Sequence, residues 1–250
     1  MIDDLFSTHL DTQQDIATQP VGYQGRHMAT PDESGCGFQI AMPDGQLYYA
    51  PQFLSPRIAD RCLDVLLAND RYDWRNTDWM AAPDLDNIHW QLIDWQRHPI
   101  TMYGKTYHPK RLLAWHGDAD YRYAGVNHRA AAWNAPLDWL RSQIEHVCAA
   151  RFNSVLLNWY RGGQDQMGWH SDNEAELGQL PVIASLSLGA ARRFVLRRTD
   201  DHTHKIEFLL PHGALLIMSG ATQRYWQHCV PKMAKVSQSR INLTFRFIHK

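Results

Sequence analysis

Several broad classes are closed to this chain by what it lacks. Its 4 cysteines, Cys36, Cys62, Cys148 and Cys229, have no paired spacing, so neither a zinc ribbon nor a disulfide framework is indicated and a reducing compartment fits. No stretch approaches the roughly 18 consecutive apolar residues of a membrane-spanning helix. Basic residues are not in excess: 25 Lys+Arg stand against 26 Asp+Glu, for a formal net charge of -1. That excludes binding to nucleic acid through whole-molecule charge and leaves only local contacts. The start carries Asp3, Asp4, Asp11 and Asp15 and lacks the basic segment and apolar run of a secretory signal. Internal repeats and low-complexity tracts are also missing. These absences predict a cytoplasmic protein without membrane contact, and a monomer with no obligate protein partner.

What is present can bury a full core, since the 250 residues are 44% hydrophobic and 11% aromatic. Residues 1–45 read as a loosely ordered polar extension, with Thr30-Pro31-Asp32-Glu33-Ser34-Gly35 as loop, and residues 46–250 as one domain. Leu47–Tyr49 suggests a short strand. Ser55-Pro56 reads as an N-cap with proline at the first helical position, followed by Ile58, Cys62, Val65 and Leu66 at helical spacing. A second helix is expected from about Pro136 to Arg151, with Leu137, Leu140, Ile144, Val147 and Cys148 inward. Between them, Trp90, Leu92, Trp95 and Ile100 alternate with polar neighbours over His89–Tyr107, which suggests a hairpin or lid of strands. From Ser154 onward, turns at Gly162-Gly163, Gly189, Pro211-His212-Gly213 and Gly220 punctuate short strands at regular intervals. The expected fold is mainly β with flanking helices (α+β), its core an antiparallel sandwich or jelly roll.

Among 14 His and 10 Trp, most serve packing or the surface, so position must select the functional ones. His-x-Asp occurs three times, at His9/Asp11, His116/Asp118 and His170/Asp172. His9 lies in the loose start, and His116 precedes a turn. The third lies amid strands and has a distant partner in His228. Two imidazoles and one carboxylate on one face of an ion, with the opposite positions open, suit a non-heme iron(II) centre. Residues two apart on an extended segment project to the same side, so His170 and Asp172 can reach one ion.

The last strand alternates strictly. Ile241, Leu243, Phe245 and Phe247 share an apolar face, and Arg240, Asn242, Thr244 and Arg246 share the other. Arg240 and Arg246 lie roughly 20 Å apart along an ideal strand, although long side chains narrow the gap at their tips. They suit the two ends of a short dicarboxylate. Upstream, Val155–Tyr160 places Asn158 and Tyr160 on one face, where an amide and a phenol can donate to carboxylate oxygens. Read singly, each strand could equally be solvent-facing or core.

Taken together, Asn158-x-Tyr160, His170-x-Asp172, His228 and Arg240-x-Asn242-x-x-x-Arg246 resemble the AlkB family of dioxygenases, in its nucleic-acid repair branch, over about residues 47–250. The resemblance implies a double-stranded β-helix core at 136–250, preceded by a helix and a nucleotide-recognition lid at 46–135. It implies Fe(II) on His170, Asp172 and His228, with 2-oxoglutarate and O2 as cosubstrates. Arg240, Tyr160 and Asn242 would hold the distal carboxylate of 2-oxoglutarate, and Asn158 and Arg246 the end beside the keto group. The implied substrate is alkylated DNA, with RNA as the alternative, demethylated at bases of the 1-methyladenine and 3-methylcytosine type to give formaldehyde, succinate and CO2. A hydroxylase acting on protein or lipid is a further alternative, because fold and metal set do not fix the substrate. Gly117-Asp118 followed by Tyr121-x-Tyr123-Ala124-Gly125 is similar to the family's base-stacking segment. Glu174 matches its acceptor for the exocyclic amine, and Arg192 a pocket arginine. The sequence departs from the family at Asn173, at His108-Pro109-Lys110-Arg111 and at His116.

Overall fold

The computed structural model describes residues 20–81, 85–97, 100–102, 105–107, 111–118, 120–123 and 126–249. Strands β1 (Tyr23–Gln24), β2 (Ala29–Pro31), β3 (Phe38–Met42) and β4 (Gly45–Ala50) lead into helix α1 (Pro56–Leu66). There follow two small hairpins, β5 (Ile100–Met102) with β6 (Lys105–Tyr107) and β8 (Tyr121–Tyr123) with β9 (Val126–His128), and between them β7 (Leu112–Gly117). Helix α2 (Ala135–Cys148) precedes β10 (Ser154–Tyr160), β11 (Met167–His170), β12 (Ile183–Gly189), β13 (Arg192–Arg198), β14 (Lys205–Leu210) and β15 (Ala214–Ser219). A one-turn helix, α3 (Thr222–Tyr225), opens directly into β16 (Trp226–Val230), and β17 (Arg240–Arg246) ends the fold.

Two antiparallel sheets face each other. The major sheet has the order β2-β3-β4-β15-β12-β17-β10-β7, and the minor sheet β1-β14-β13-β16-β11. Leu156, Tyr160, Phe194, Leu196, Leu216 and Trp226 are among the residues that fill the space between them. The outer face of the major sheet is covered by α1, α2 and a tryptophan cluster. Val155, Leu157, Trp159, Leu243 and Phe245 point into that second core, where the Trp159 ring meets Trp79 edge-on with centroids 4.9 Å apart. Alternate residues of one strand therefore enter two different cores, which is why every residue of β10 and β17 is buried.

The helices form where expected, with small shifts. Ser55 accepts from the Ile58 N–H and Pro56 occupies the first turn, but the buried stripe is Ala59, Cys62, Leu63 and Leu66. In α2, Asn134 caps and Leu137, Leu140 and Ile144 are buried; the helix stops at Cys148 because Ala149 turns left-handed at φ 49°, and Val147 is exposed.

Three expectations need correction. Residues 20–45 are not loosely ordered, because β3 pairs along β4 and β1 along β14, so the segment extends both sheets. The first 19 residues lie outside the described residues. The aromatic run from His89 is only partly stranded: a hairpin forms where β5 pairs β6, but Trp95 is buried and donates to the Leu66 carbonyl, and among the described residues of this run the named strands are β5 and β6. Phe247 does not share the apolar face of β17, because pairing ends at Ser154–Arg246. Asn153 then takes over the backbone of Ile248 with two hydrogen bonds and Phe247 is 40% exposed.

Deleting residues 1–43 should therefore destabilise the protein. It bares the edge of β4, removes the buried side chains of Phe38, Ile40 and Met42, and takes away the Pro43 carbonyl that accepts from the Trp226 indole. The expected loss is at least ~3 kcal/mol from apolar burial alone, read as a lower urea midpoint. An unchanged midpoint would show that these strands contribute nothing.

Candidate metal centre

His170, the last residue of β11, and His228, in β16, are direct cross-strand partners in the minor sheet. Their ring centroids are 4.2 Å apart. Asp172 follows in the loop beyond β11 and is 1% exposed. Ligand atoms of the three residues all lie within 4.8 Å of one another, and no other group of three His, Cys, Asp or Glu among the described residues is so arranged. His116 is instead a buried structural residue whose Nδ1 meets the Ala132 carbonyl at 2.8 Å; His9 and Asp11 fall outside the described residues.

The protonation states suit a divalent cation. The Gly168 carbonyl lies 2.9 Å from His170 Nδ1; a carbonyl only accepts, so the proton sits on Nδ1 and the Nε2 lone pair is left for a ligand. Burial pushes the pKa of His170 down, and that of His228 down to about 3, with the His170 ring adding to the effect on His228. Both imidazoles are neutral at pH 7. Burial alone would raise Asp172, but the Arg246 guanidinium, then His228 and His170, more than offset it and bring the carboxyl to about 2. Arg246 Nη2 donates to Asp172 Oδ2 at 2.8 Å. The other oxygen, Oδ1, is buried without a hydrogen-bond partner and lies 3.9 Å from His170 Nε2. Two neutral imidazoles and an ionised carboxylate with one oxygen unclaimed form a donor set that fits Fe(II).

The cavity beside this cluster is lined by Asn158, Tyr160, His170, Asp172, His228 and Asn242, among others. Register sets its walls: Asn158 stands opposite Asn242, and Tyr160 opposite Arg240, although Arg240 is not itself among the lining residues. Arg240 is 1% exposed. One of its donors reaches Ser187 Oγ at 2.9 Å, while Nε and Nη1 have no partner. Its charge centre lies 5.2 Å from the Tyr160 ring, and burial lowers its pKa to about 10. A guanidinium held this way suits an incoming carboxylate. Asn242 also lines the cavity, but its amide nitrogen already donates to Ser185 Oγ and the Leu186 carbonyl.

Arg192, expected near the pocket, is not among the residues that line this cavity. It is 1% exposed and donates to the carbonyls of Gly162, Asp165 and Pro231, bracing the loops behind Tyr160, whose ring lies 5.5 Å from its charge centre. Glu174 is half-buried at the start of a single 3-10 turn, Ala175–Leu177. Tyr121 and Tyr123 lie in β8, and their side chains, like residues 108–110, 124 and 125, are outside the described residues.

Three neighbours escaped the motif reading. Arg111, 4% exposed, donates from Nε to Asn158 Oδ1 at 3.0 Å. Phe194 stacks on His228 with centroids 5.2 Å apart. Gln223 bonds the Asp172 backbone. Only Arg111 left a sequence signal, the basic run before β7.

Arg246→Met should leave the Asp172 carboxylate buried without its counter-charge. The metal-free protein is expected to lose ~3–5 kcal/mol of unfolding free energy in urea; a loss under ~1 kcal/mol would mean that this pair does not hold the carboxylate.

Comparison with known proteins adds to this geometry. A family model described as the 2OG-Fe(II) oxygenase superfamily matches residues 46–246. The chain is 34% identical to the alpha-ketoglutarate-dependent dioxygenase alkB homolog 3 of Mus musculus, over 95% of this chain and 91% of that protein. It is 38% identical to the protein of the same name from Homo sapiens, over 71% of this chain and 63% of that one. With the DNA oxidative demethylase ALKBH2 of Homo sapiens it shares 36% identity over 60% of each chain. The solved structure of OsALKBH1 superposes with a TM-score of 0.52 at 15% identity, covering 84% of this chain and 99% of that one; this likeness speaks for the jelly-roll fold alone.

Proposed function

The chain belongs to the 2OG-Fe(II) oxygenase superfamily and, within it, to the AlkB family, and from that premise we propose that it oxidatively demethylates ring nitrogens of alkylated bases in DNA, of the 1-methyladenine and 3-methylcytosine type. It is a 2-oxoglutarate-dependent dioxygenase, with Fe(II) as cofactor and 2-oxoglutarate and O2 as cosubstrates. In the balance proposed, one oxygen atom of O2 enters succinate as CO2 leaves 2-oxoglutarate, and the other converts N–CH3 to N–CH2OH. The hydroxymethyl group then departs as formaldehyde and the ring nitrogen is restored.

The observation that carries the reading is the cross-strand His170–His228 pair with Asp172, beside a buried Arg240 that has two donors without partners. His170, Asp172 and His228 would hold Fe(II), which when bound supplies the coupling of O2 reduction to keto-acid decarboxylation. Arg240 is the anchor for the distal carboxylate, with Tyr160 and Asn242 as its walls. Asn158 and Arg246 face the end next to the keto group, and Arg246 keeps Asp172 ionised. Residues 46–135 carry the first helix and a nucleotide-recognition lid, and residues 136–250 the catalytic core. Tyr123 would stack on the flipped base, a contact contributing roughly 1–3 kcal/mol, and Tyr121 would line the pocket. A base methylated at adenine N1 or cytosine N3 is cationic, so Glu174, two residues beyond the ionised Asp172, would favour the damaged form over the neutral one. Arg192 is left out of the substrate set because its bonds to three carbonyls make it a brace.

The reading is tested by formaldehyde release from matched methylated DNA and RNA strands, with and without Fe(II) and 2-oxoglutarate. Release from DNA that needs both additions is expected; release from RNA alone would move the substrate to RNA, and none from either would leave a protein or lipid hydroxylase. His170→Ala should abolish release while keeping the fold, and full activity in that variant would remove the metal assignment. Arg240→Ala should raise the 2-oxoglutarate concentration needed for half-maximal rate roughly 10-fold or more, the loss expected for a hydrogen bond to a charged group. An unchanged requirement would free Arg240 from that role.

A further inference from the structure

A strand holds His170 and another holds His228, but no strand holds Asp172. β11 ends at His170, and the carboxylate is drawn by Arg246 on one oxygen, so something else must keep the other oxygen facing the imidazoles. Two hydrogen bonds meet that need. Gln223, 2% exposed in α3, accepts the Asp172 backbone N–H on Oε1 at 2.9 Å. An N–H requires an acceptor, which fixes the amide's orientation and turns Nε2 toward Met218 Sδ at 3.4 Å. Next to it, Ser171 Oγ donates to the Trp226 carbonyl at 2.9 Å. Both residues between His170 and the Asp172 carboxylate are thereby tied to Gln223–Trp226, the stretch that runs directly into β16 and His228. The two halves of the ligand set are fastened to each other before any ion arrives.

We infer that Gln223 and Ser171 are positioning residues that set the metal affinity by holding the Asp172 backbone against the segment that carries His228. The inference rests on the reading of His170, Asp172 and His228 as ligands. Neither side chain needs to touch the ion, because each acts on where Asp172 Oδ1 points. Loss of such supporting bonds around a metal typically weakens binding by 10- to 100-fold.

The test is calorimetric titration of the full chain with Mn(II) and with Co(II), without keto acid. Gln223→Met keeps length and apolar packing but offers no oxygen, and should bind each ion at least ~10-fold more weakly. Gln223→Glu keeps an oxygen that can accept the Asp172 N–H and should retain most of the affinity. Ser171→Ala, a mild change that serves even if Gln223→Met does not fold, should shift affinity in the same direction by a smaller factor. The rate at saturating iron should recover in all three.

Wild-type affinity in both Gln223→Met and Ser171→Ala, whatever happens to their melting temperatures, would reduce the two bonds to ordinary structural contacts and overturn the inference. A loss in Gln223→Glu as large as in Gln223→Met would assign the effect to packing, with the same consequence. His170→Ala measured alongside separates the two levels: unchanged metal binding there removes the ligand set itself, whereas lost binding there with intact binding in the other variants removes only the positioning role.

Discussion

A carboxylate buried between two sheets survives as an anion only beside a counter-charge, and the Arg246–Asp172 pair is the constraint around which this molecule is organised. Both partners are almost fully buried, at 3% and 1% exposure, where an unpaired charge would be severely penalised. The pair joins the last strand of the major sheet to the edge of the minor sheet. It thereby fixes how the two layers face each other at the site, and the same bond that holds the layers keeps Asp172 in the form a metal requires.

β17 can supply that arginine because of its place in the sheet. It lies between β12 and β10, so its backbone is hydrogen-bonded on both edges and its side chains alternate between two cores. Ile241, Leu243 and Phe245 anchor it from the helix side. Arg240, Asn242, Thr244 and Arg246 are consequently presented between the sheets at fixed spacing and with little freedom. Preorganisation of the polar side follows from the packing of the apolar side. The same division of labour holds in β10, where Trp159 locks the strand from outside and Asn158 and Tyr160 face the cavity.

The parts of the fold legible in the sequence are those where one physical signal dominates. Period-two alternation identified β17, the spacing of Asn158 and Tyr160 marked β10, and the Ser55-Pro56 cap located α1 within a residue. The alternation could not show that the polar face of β17 is interior, since a solvent-facing strand has the same pattern; only the other elements of the constellation argued for it. Residues 20–45 were misread because their strands are short, turn-rich and stabilised by pairing across the sheet, a tertiary effect that local propensity does not register. Arg192 was placed by motif position, which cannot distinguish a guanidinium that reaches a ligand from one that binds three carbonyls. Gln223 and Ser171 leave no pattern at all, because what matters is one amide or hydroxyl at a distance set by the closing of β11 on β16.

The interior charge explains why the site should take its two small components together. Among the described residues, Arg111, Arg161, Arg192, Arg240 and Arg246 are buried, against only Asp165 and Asp172 as buried acids. Such an excess of buried cations is tolerated at donors that meet carbonyls, as Nη1 and Nη2 of Arg192 do, and is costly at donors that go unmatched, two on Arg240 and one on Arg192. A divalent ion entering alone adds to the positive excess, whereas a dicarboxylate entering alone relieves it and leaves the metal ligands unsatisfied. Each therefore lowers the electrostatic cost of the other. The same excess of buried positive charge favours a chelating dianion over a neutral or cationic small molecule as cosubstrate.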